Sequence, residues 1–275
     1  MSAWLPTEPD LAAALERYKD PLLSLARAET PALILRSAYS PMDCKGLVRR
    51  FIDEGLMRDP LEPAPPDAKA RIDVGTSLGT HGNDKEAFLE HSAKTHTLFE
   101  SLFDDFEDPT DVIYDNLQDL AGDRQVVTAR EPDGRPYGPA IFRIHYDSHT
   151  YYPHTDHVVL REKRFDFAVS RYTHQFAGIL CLQNAAATGS ATQAILHNCL
   201  WTEDIQPHIA DKTFHQYAAD NAIENHRVDL DVGDLYFFNT RCIHEVPAVQ
   251  GSDPRIVLAV FIGFSEDLNE VFVWS

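Results

Sequence analysis

Residues 140–156 read AIFRIHYDSHTYYPHTD, and this stretch decides how the second half of the chain is read. Residues 140–146 alternate as a strand does. The run Tyr151-Tyr152-Pro153-His154-Thr155-Asp156 is extended and tyrosine-rich, so residues two apart project to the same side. His154 and Asp156 can therefore present an imidazole nitrogen and a carboxylate oxygen to one ion. His145, His149 and His157 crowd the same stretch and are read as surface groups or as supports for the ligands.

Strand patterns also occur just upstream at 125–128 and downstream at 176–182, 193–201, 226–230, 235–239 and 256–264. Pro132-Asp133-Gly134 and Val232-Gly233-Asp234 are turns between them, the second read as a hairpin, and 212–223 is a candidate helix. Before Gly122 the texture is helical. Apolar residues recur near a 3.6 period over 10–28, with Pro21 a kink or break. Ser40-Pro41-Met42-Asp43 supplies an N-cap, a first-turn proline and an acid for a helix that stops at Gly55. Residues 85–106 and 109–120 carry two more helices, 32–35 a short strand, and the prolines of 60–66 mark a loop. Helices first and strands after predict an α+β fold whose strands close into a double-sheet barrel or jelly roll.

The 275 residues fit one large domain or two small ones. The formal charge of −19, from 43 acids against 24 bases, repels phosphate backbones and anionic membranes, so neither nucleic acid nor membrane is an expected partner. A local arginine cluster can still hold a small anion. The start, MSAWLPTEPD, has no basic n-region and no apolar h-region, so a secretory signal is not expected, and no stretch approaches a membrane span. Cys44, Cys181, Cys199 and Cys242 lie far apart without a CxxC pair, which suits free thiols in a cytoplasmic protein.

The third ligand of the candidate metal is His244, placed after the run Asp231-Val232-Gly233-Asp234-Leu235-Tyr236-Phe237-Phe238. Two histidines and one carboxylate on one face of an octahedral ion leave three positions open, as in non-haem Fe(II) oxygenases. An α-keto acid can fill two and O2 the third. Arg255, beyond the turn Gly251-Ser252-Asp253-Pro254, offers a planar guanidinium to the keto acid's far carboxylate, on a strand expected to return beside the one near His244. Arg143 shares strand parity with His145 and is a second cation for an anionic co-substrate or substrate; a structural ion pair is its competing reading. Each part has a plain alternative: HxD occurs by chance, and an arginine opening a strand is commonly solvated or paired with an acid such as Asp253. The ordered set is more specific than any member.

With those residues in place, the sequence resembles the Fe(II)/2-oxoglutarate-dependent dioxygenases. Within them it is most similar to the branch of N-succinyl amino acid hydroxylases and indole-alkaloid halogenases. The resemblance implies a double-stranded β-helix (jelly-roll) core, Fe(II), 2-oxoglutarate as co-substrate, O2, and succinate and CO2 as co-products. It implies a single dioxygenase domain over 1–275, mainly helical over 1–122, with the jelly-roll core and metal site over 123–275. The halogenases of this branch carry a small residue where Asp156 stands, which makes room for chloride; Asp156 fills that place, so hydroxylation of an unactivated C–H is expected, with desaturation or ring formation by the same oxidant left open. The substrate is a small molecule, an amino acid derivative or natural-product intermediate, and a carboxylated one suits the basic residues Arg161, Lys163 and Arg164. By position, Arg71 and the glycine-bearing loop 73–83 resemble the branch's segment over the metal, either a mobile lid or a plain surface loop. An apolar helix face in the first half could serve the barrel or a second subunit, which leaves a homodimer open. Two rival readings use the same residues: a cupin-like Fe(II) oxygenase without keto acid, where Arg255 has no required role, and a non-catalytic jelly-roll binding module.

Overall fold

The apolar run from Arg255 to Phe264 becomes the strand at the middle of the larger sheet. The computed structural model describes residues 3–185 and 192–275, and the statements below concern those residues. The strands are β1 (Leu33–Leu35), β2 (Arg71–Gly75), β3 (Gln125–Thr128), β4 (Ile141–His145), β5 (Tyr151–His154), β6 (His174–Gln183), β7 (Thr192–Leu200), β8 (Asn225–Asp229), β9 (Leu235–Asn239), β10 (Cys242–Val246), β11 (Arg255–Phe264) and β12 (Glu270–Trp274). The helices are α1 (Leu11–Arg17), α2 (Pro21–Ala26), α3 (Pro41–Asp53), α4 (Leu78–His81), α5 (Lys85–Leu102), α6 (Pro109–Ala121), α7 (Gln206–Ala210) and α8 (Phe214–Asp220).

β11 pairs with β6 along one edge. Its other edge is shared, Arg255 to Ala259 pairing with β4 and Phe261 to Gly263 with β12. β9 and β1 extend the sheet beyond β6, β3 beyond β12, and β2 beyond β4, giving eight strands. All these pairs are antiparallel except β12 with β3. A second, antiparallel sheet runs β5-β10-β7-β8.

Side-chain parity explains why β11 is apolar throughout. Ile256, Leu258, Val260, Ile262 and Phe264 are buried in one core with Leu47 and Phe51 of α3 and Leu117 of α6. Arg255, Val257 and Ala259 project from the other face into a cavity that the second sheet also lines. A strand covered on both faces needs apolar residues in both registers. Tyr236 and Phe238 of the larger sheet pack with Leu196 and Val228 of the smaller one. The architecture is thus α+β, two facing sheets with helices on the outer face of the larger.

Several sequence readings take sharper form. Pro21 does break the first helix: α1 ends at Arg17, and Asp20 caps the new α2, its carboxylate accepting from Leu23 N, with Pro21 as its first residue. Ser40 caps α3 by accepting from Asp43 N. Helix α5 stops at Leu102 rather than 106. The four cysteines are free thiols. Among the described residues no helix is long and apolar enough to cross a membrane.

Three expectations are corrected. Val232-Gly233-Asp234 does not close a hairpin: β8 belongs to the smaller sheet and β9 to the larger, so the turn carries the chain across. Gly233 holds φ +92°, and a Cβ there would lie 2.2 Å from the Tyr39 carbonyl oxygen. The segment over 73–83 is not a loop. It contributes the end of β2, paired with β4, and helix α4, and a Cβ on Gly75, at φ +114°, would lie 2.9 Å from the Ala140 carbonyl oxygen. Finally, β11 does not return beside the strand of His244; the two lie in opposite sheets. Strands β1 and β2 also mean that the first 122 residues supply edges of the larger sheet as well as helices.

Candidate active site

β5 and β10 pair with His154 opposite His244, which makes residues ninety apart in the chain direct neighbours, ring centroids 4.2 Å apart. Asp156 follows just beyond β5, and its Oδ2 lies 3.7 Å from His154 Nε2 and 3.5 Å from His244 Nε2. Thr240, fully buried between β9 and β10, fixes this position. Its carbonyl accepts from Asp156 N at 3.0 Å and from the Thr155 hydroxyl at 2.9 Å, and its own hydroxyl donates to the Asp156 carbonyl at 2.7 Å.

The tautomers follow from the partners. His154 Nδ1 lies 2.8 Å from the Tyr152 carbonyl, and His244 Nδ1 lies 2.9 Å from the Cys242 carbonyl. A carbonyl only accepts, so Nδ1 carries a proton in both rings and each Nε2 is turned toward Oδ2 of Asp156. Burial works to raise the Asp156 pKa, but His154 and His244 outweigh it and hold the carboxyl well below its usual range. Burial lowers His244. Arg161 donates to the other carboxylate oxygen, Oδ1, at 2.6 Å, leaving Oδ2 to the imidazoles. Two imidazoles oriented by carbonyls and one ionised carboxylate, with ligand atoms within 4.8 Å of one another, form a donor set that fits a divalent first-row metal.

Arg255 opens β11 on the facing sheet and is buried, 6% exposed. Its Nε donates to Gln193 Oε1 at 2.7 Å and its Nη1 to His145 Nδ1 at 2.9 Å. Asp253 is not its partner, and among the described residues no carboxylate pairs with it. Burial pulls its pKa below the usual guanidinium value. Burial first, then the charge of Arg255, drives His145 well below the usual histidine range, so the ring stays neutral and accepts. A buried cation resting on two neutral acceptors keeps its charge available to an incoming anion. The half-buried ring of His149 stacks on His145 at 4.5 Å, and His145 and His157 are buried rather than on the surface.

Arg143 also lines the cavity, of about 820 Å³. Its Nε is buried without a partner, and among the described residues it forms no ion pair, which removes the structural reading of this side chain. Its guanidinium carbon lies 6.0 Å from the Phe261 ring. The other basic residues are engaged: Arg71 with Asp73 and the Tyr151 hydroxyl, Arg161 with Asp156, and Arg164 with Glu162. Ser77, Gly79 and Thr80, around α4, reach the cavity wall. Sequence reasoning missed Thr240 and Gln193. A polar residue opening the apolar run of β7 is the one local sign of Gln193, and nothing local marks Thr240.

Two sheets enclosing a His-Asp-His set opposite an uncompensated arginine define the class of Fe(II)/2-oxoglutarate-dependent oxygenases. Residues 10–275 match the carrier-protein-independent halogenase WelO5 family, and the chain belongs to that family. Among solved structures it is similar to an N-substituted L-amino acid dioxygenase from Burkholderia ambifaria AMMD, with a TM-score of 0.59, 13% identity, and 92% of this chain and 90% of that chain covered. The same dioxygenase in complex with α-ketoglutarate gives 0.56 at 13% identity over 92% and 90%. The α-ketoglutarate-dependent epimerase SnoN from nogalamycin biosynthesis gives 0.50 at 12% identity over 94% and 88%. At these identities the likeness is one of fold. No curated protein matches the chain.

Proposed function

We propose that this protein is a 2-oxoglutarate-dependent hydroxylase of a small molecule, built as one domain over 1–275 on a jelly-roll core. The observation that carries the reading is the pairing of the His154–Asp156–His244 donor set with a buried arginine, Arg255, that lacks an acid and faces the same cavity. His154, Asp156 and His244 would hold Fe(II) through two Nε2 atoms and Oδ2. With 2-oxoglutarate and O2, the iron supplies oxidation of a C–H bond, and succinate and CO2 leave as co-products.

The remaining work belongs to the chain. Arg255 binds the distal carboxylate of the keto acid through a two-pronged, charge-assisted contact. Gln193 and His145 hold that guanidinium in place without neutralising it. Arg143, with a free Nε in the same cavity, takes a second carboxylate, from the co-substrate or from a carboxylated substrate. Apolar walls such as Ile179, Val257 and Phe238 exclude water around the bound molecules. Positioning of this kind matters because a shift of about 1 Å in the reacting geometry changes rate by roughly a hundredfold.

Hydroxylation is favoured over halogenation by Asp156. Its carboxylate faces both imidazoles and takes the place a halide would need. The test is anaerobic titration of the protein with Fe(II) and 2-oxoglutarate. A weak visible charge-transfer band is expected, and His244→Ala should abolish it; no band in the unchanged protein refutes the reading. A screen of N-acyl amino acids, free amino acids and alkaloids for succinate release then identifies the substrate.

A further inference from the structure

We propose that the outer face of the smaller sheet carries a second cation site, formed by His197, His215 and Glu245 and suited to a zinc-like divalent metal. The three residues come from three elements, β7, α8 and β10. Their ligand atoms lie within 4.8 Å of one another. His197 Nε2 lies 3.1 Å from Glu245 Oε1, and His215 Nε2 lies 3.0 and 3.1 Å from the two carboxylate oxygens. These separations are within a few tenths of an ångström of the spacing set by ligands about 2.0–2.2 Å from one ion.

Strand parity makes the site distinct from the one inside. His244 and Glu245 are consecutive in β10 and point to opposite faces, His244 to Asp156 and Glu245 to His197 and α8. The burial is graded as a metal site needs. His197 is 3% exposed and Phe214 packs edge-on against it at 5.0 Å, whereas the His215 side chain is 64% exposed and gives ions a way in. His197 Nδ1 is buried without a partner, so only Nε2 of that ring can serve a ligand. Shifting the ring proton to Nδ1 on metal binding leaves that nitrogen as unpaired as before.

The donor chemistry, two imidazoles and one carboxylate with open positions toward solvent, suits zinc. The formal charge of −19 adds long-range attraction for cations. An ion here would tie α8, which otherwise rests on the small apolar cluster of Trp201, Phe214 and Ile243, to the smaller sheet.

The experiment is equilibrium dialysis of the metal-free full chain against Zn2+, followed by metal counting, on the unchanged protein and on His215→Ala and Asp156→Ala. Exposure of His215 makes its variant safe for folding. The expected result is two ions on the unchanged protein and one on each variant. If His215→Ala binds as many ions as the unchanged protein, the cluster is a hydrogen-bonded one only and the proposal is overturned. Failure of the inner site reads differently: one ion on the unchanged protein, one on Asp156→Ala, none on His215→Ala.

Discussion

Arg255 donates a hydrogen bond of 2.9 Å to Nδ1 of His145, so a buried cation leans on a neutral ring where an acid would be the ordinary partner. The cross-strand register of β4 and β11 sets this pair directly opposite each other. Burial and the arginine's own charge keep the ring unprotonated. A cation held this way leaves its charge uncompensated at the cavity wall, which suits an anionic ligand.

Removing that cation should cost the keto acid its anchor. Arg255→Ala is expected to weaken 2-oxoglutarate binding by on the order of a hundredfold, the loss of about 2–3 kcal/mol in charged hydrogen bonds. Anaerobic titration of the charge-transfer band measures it, with Fe(II) affinity nearly unchanged. Full 2-oxoglutarate affinity in this variant would remove Arg255 as the anchor, and substrate oxidation that Arg255→Ala spares and that needs no keto acid would favour the cupin-like reading.

The neutral state of His145 has a pH signature. Its folded pKa is depressed, so below the ordinary histidine value of about 6.5 the unfolded chain takes up a proton that the folded chain refuses. Its effect is therefore absent above about pH 6.5, and stability falls as pH drops through the window beneath it. Replacing His145 by Asn keeps an acceptor for Arg255 and should flatten the slope by up to about 1.4 kcal/mol per pH unit. Urea denaturation of the metal-free protein at about pH 7 and about pH 5.5 reads both slopes.

Chloride separates the two chemistries open to the family. On any substrate that drives succinate release, the unchanged protein in excess chloride should yield a product heavier by one oxygen and free of chlorine. Mass spectrometry decides, and a chlorinated product would remove the role given to Asp156.

The crossing between sheets is expected to be a stability hot spot. Asp234 is 2% exposed and accepts from Arg36 Nη1 at 2.7 Å, Ser37 N at 2.8 Å and Asp231 N at 2.9 Å. Asp234→Asn should lower unfolding free energy by about 2 kcal/mol, because two backbone donors and a partly exposed arginine, Arg36, lose their anion. A shift in the denaturation midpoint at unchanged slope would show it, while a shift indistinguishable from zero would discount the turn's role.

Much of this protein is written locally. The period of apolar residues gave the longer helices and most strands, though not α4, α7, β2, β10 or β12, Ser40 and Pro41 marked the start of α3, and the i, i+2 rule paired His154 with Asp156 before any contact was known. Such features depend on neighbours in the chain, so a single sequence suffices. The sheet to which each strand belongs does not. Val232-Gly233-Asp234 reads as a hairpin turn, yet packing sends β8 and β9 to different sheets, and β2 lay hidden in a stretch whose glycines suggest a loop. His244 reaches His154 only because β10 pairs with β5. Arg255 stays without an acid because Gln193 and His145, both remote in the chain, arrive first. Pairing and burial are settled by which distant surfaces exclude water together, and that is a property of the folded whole.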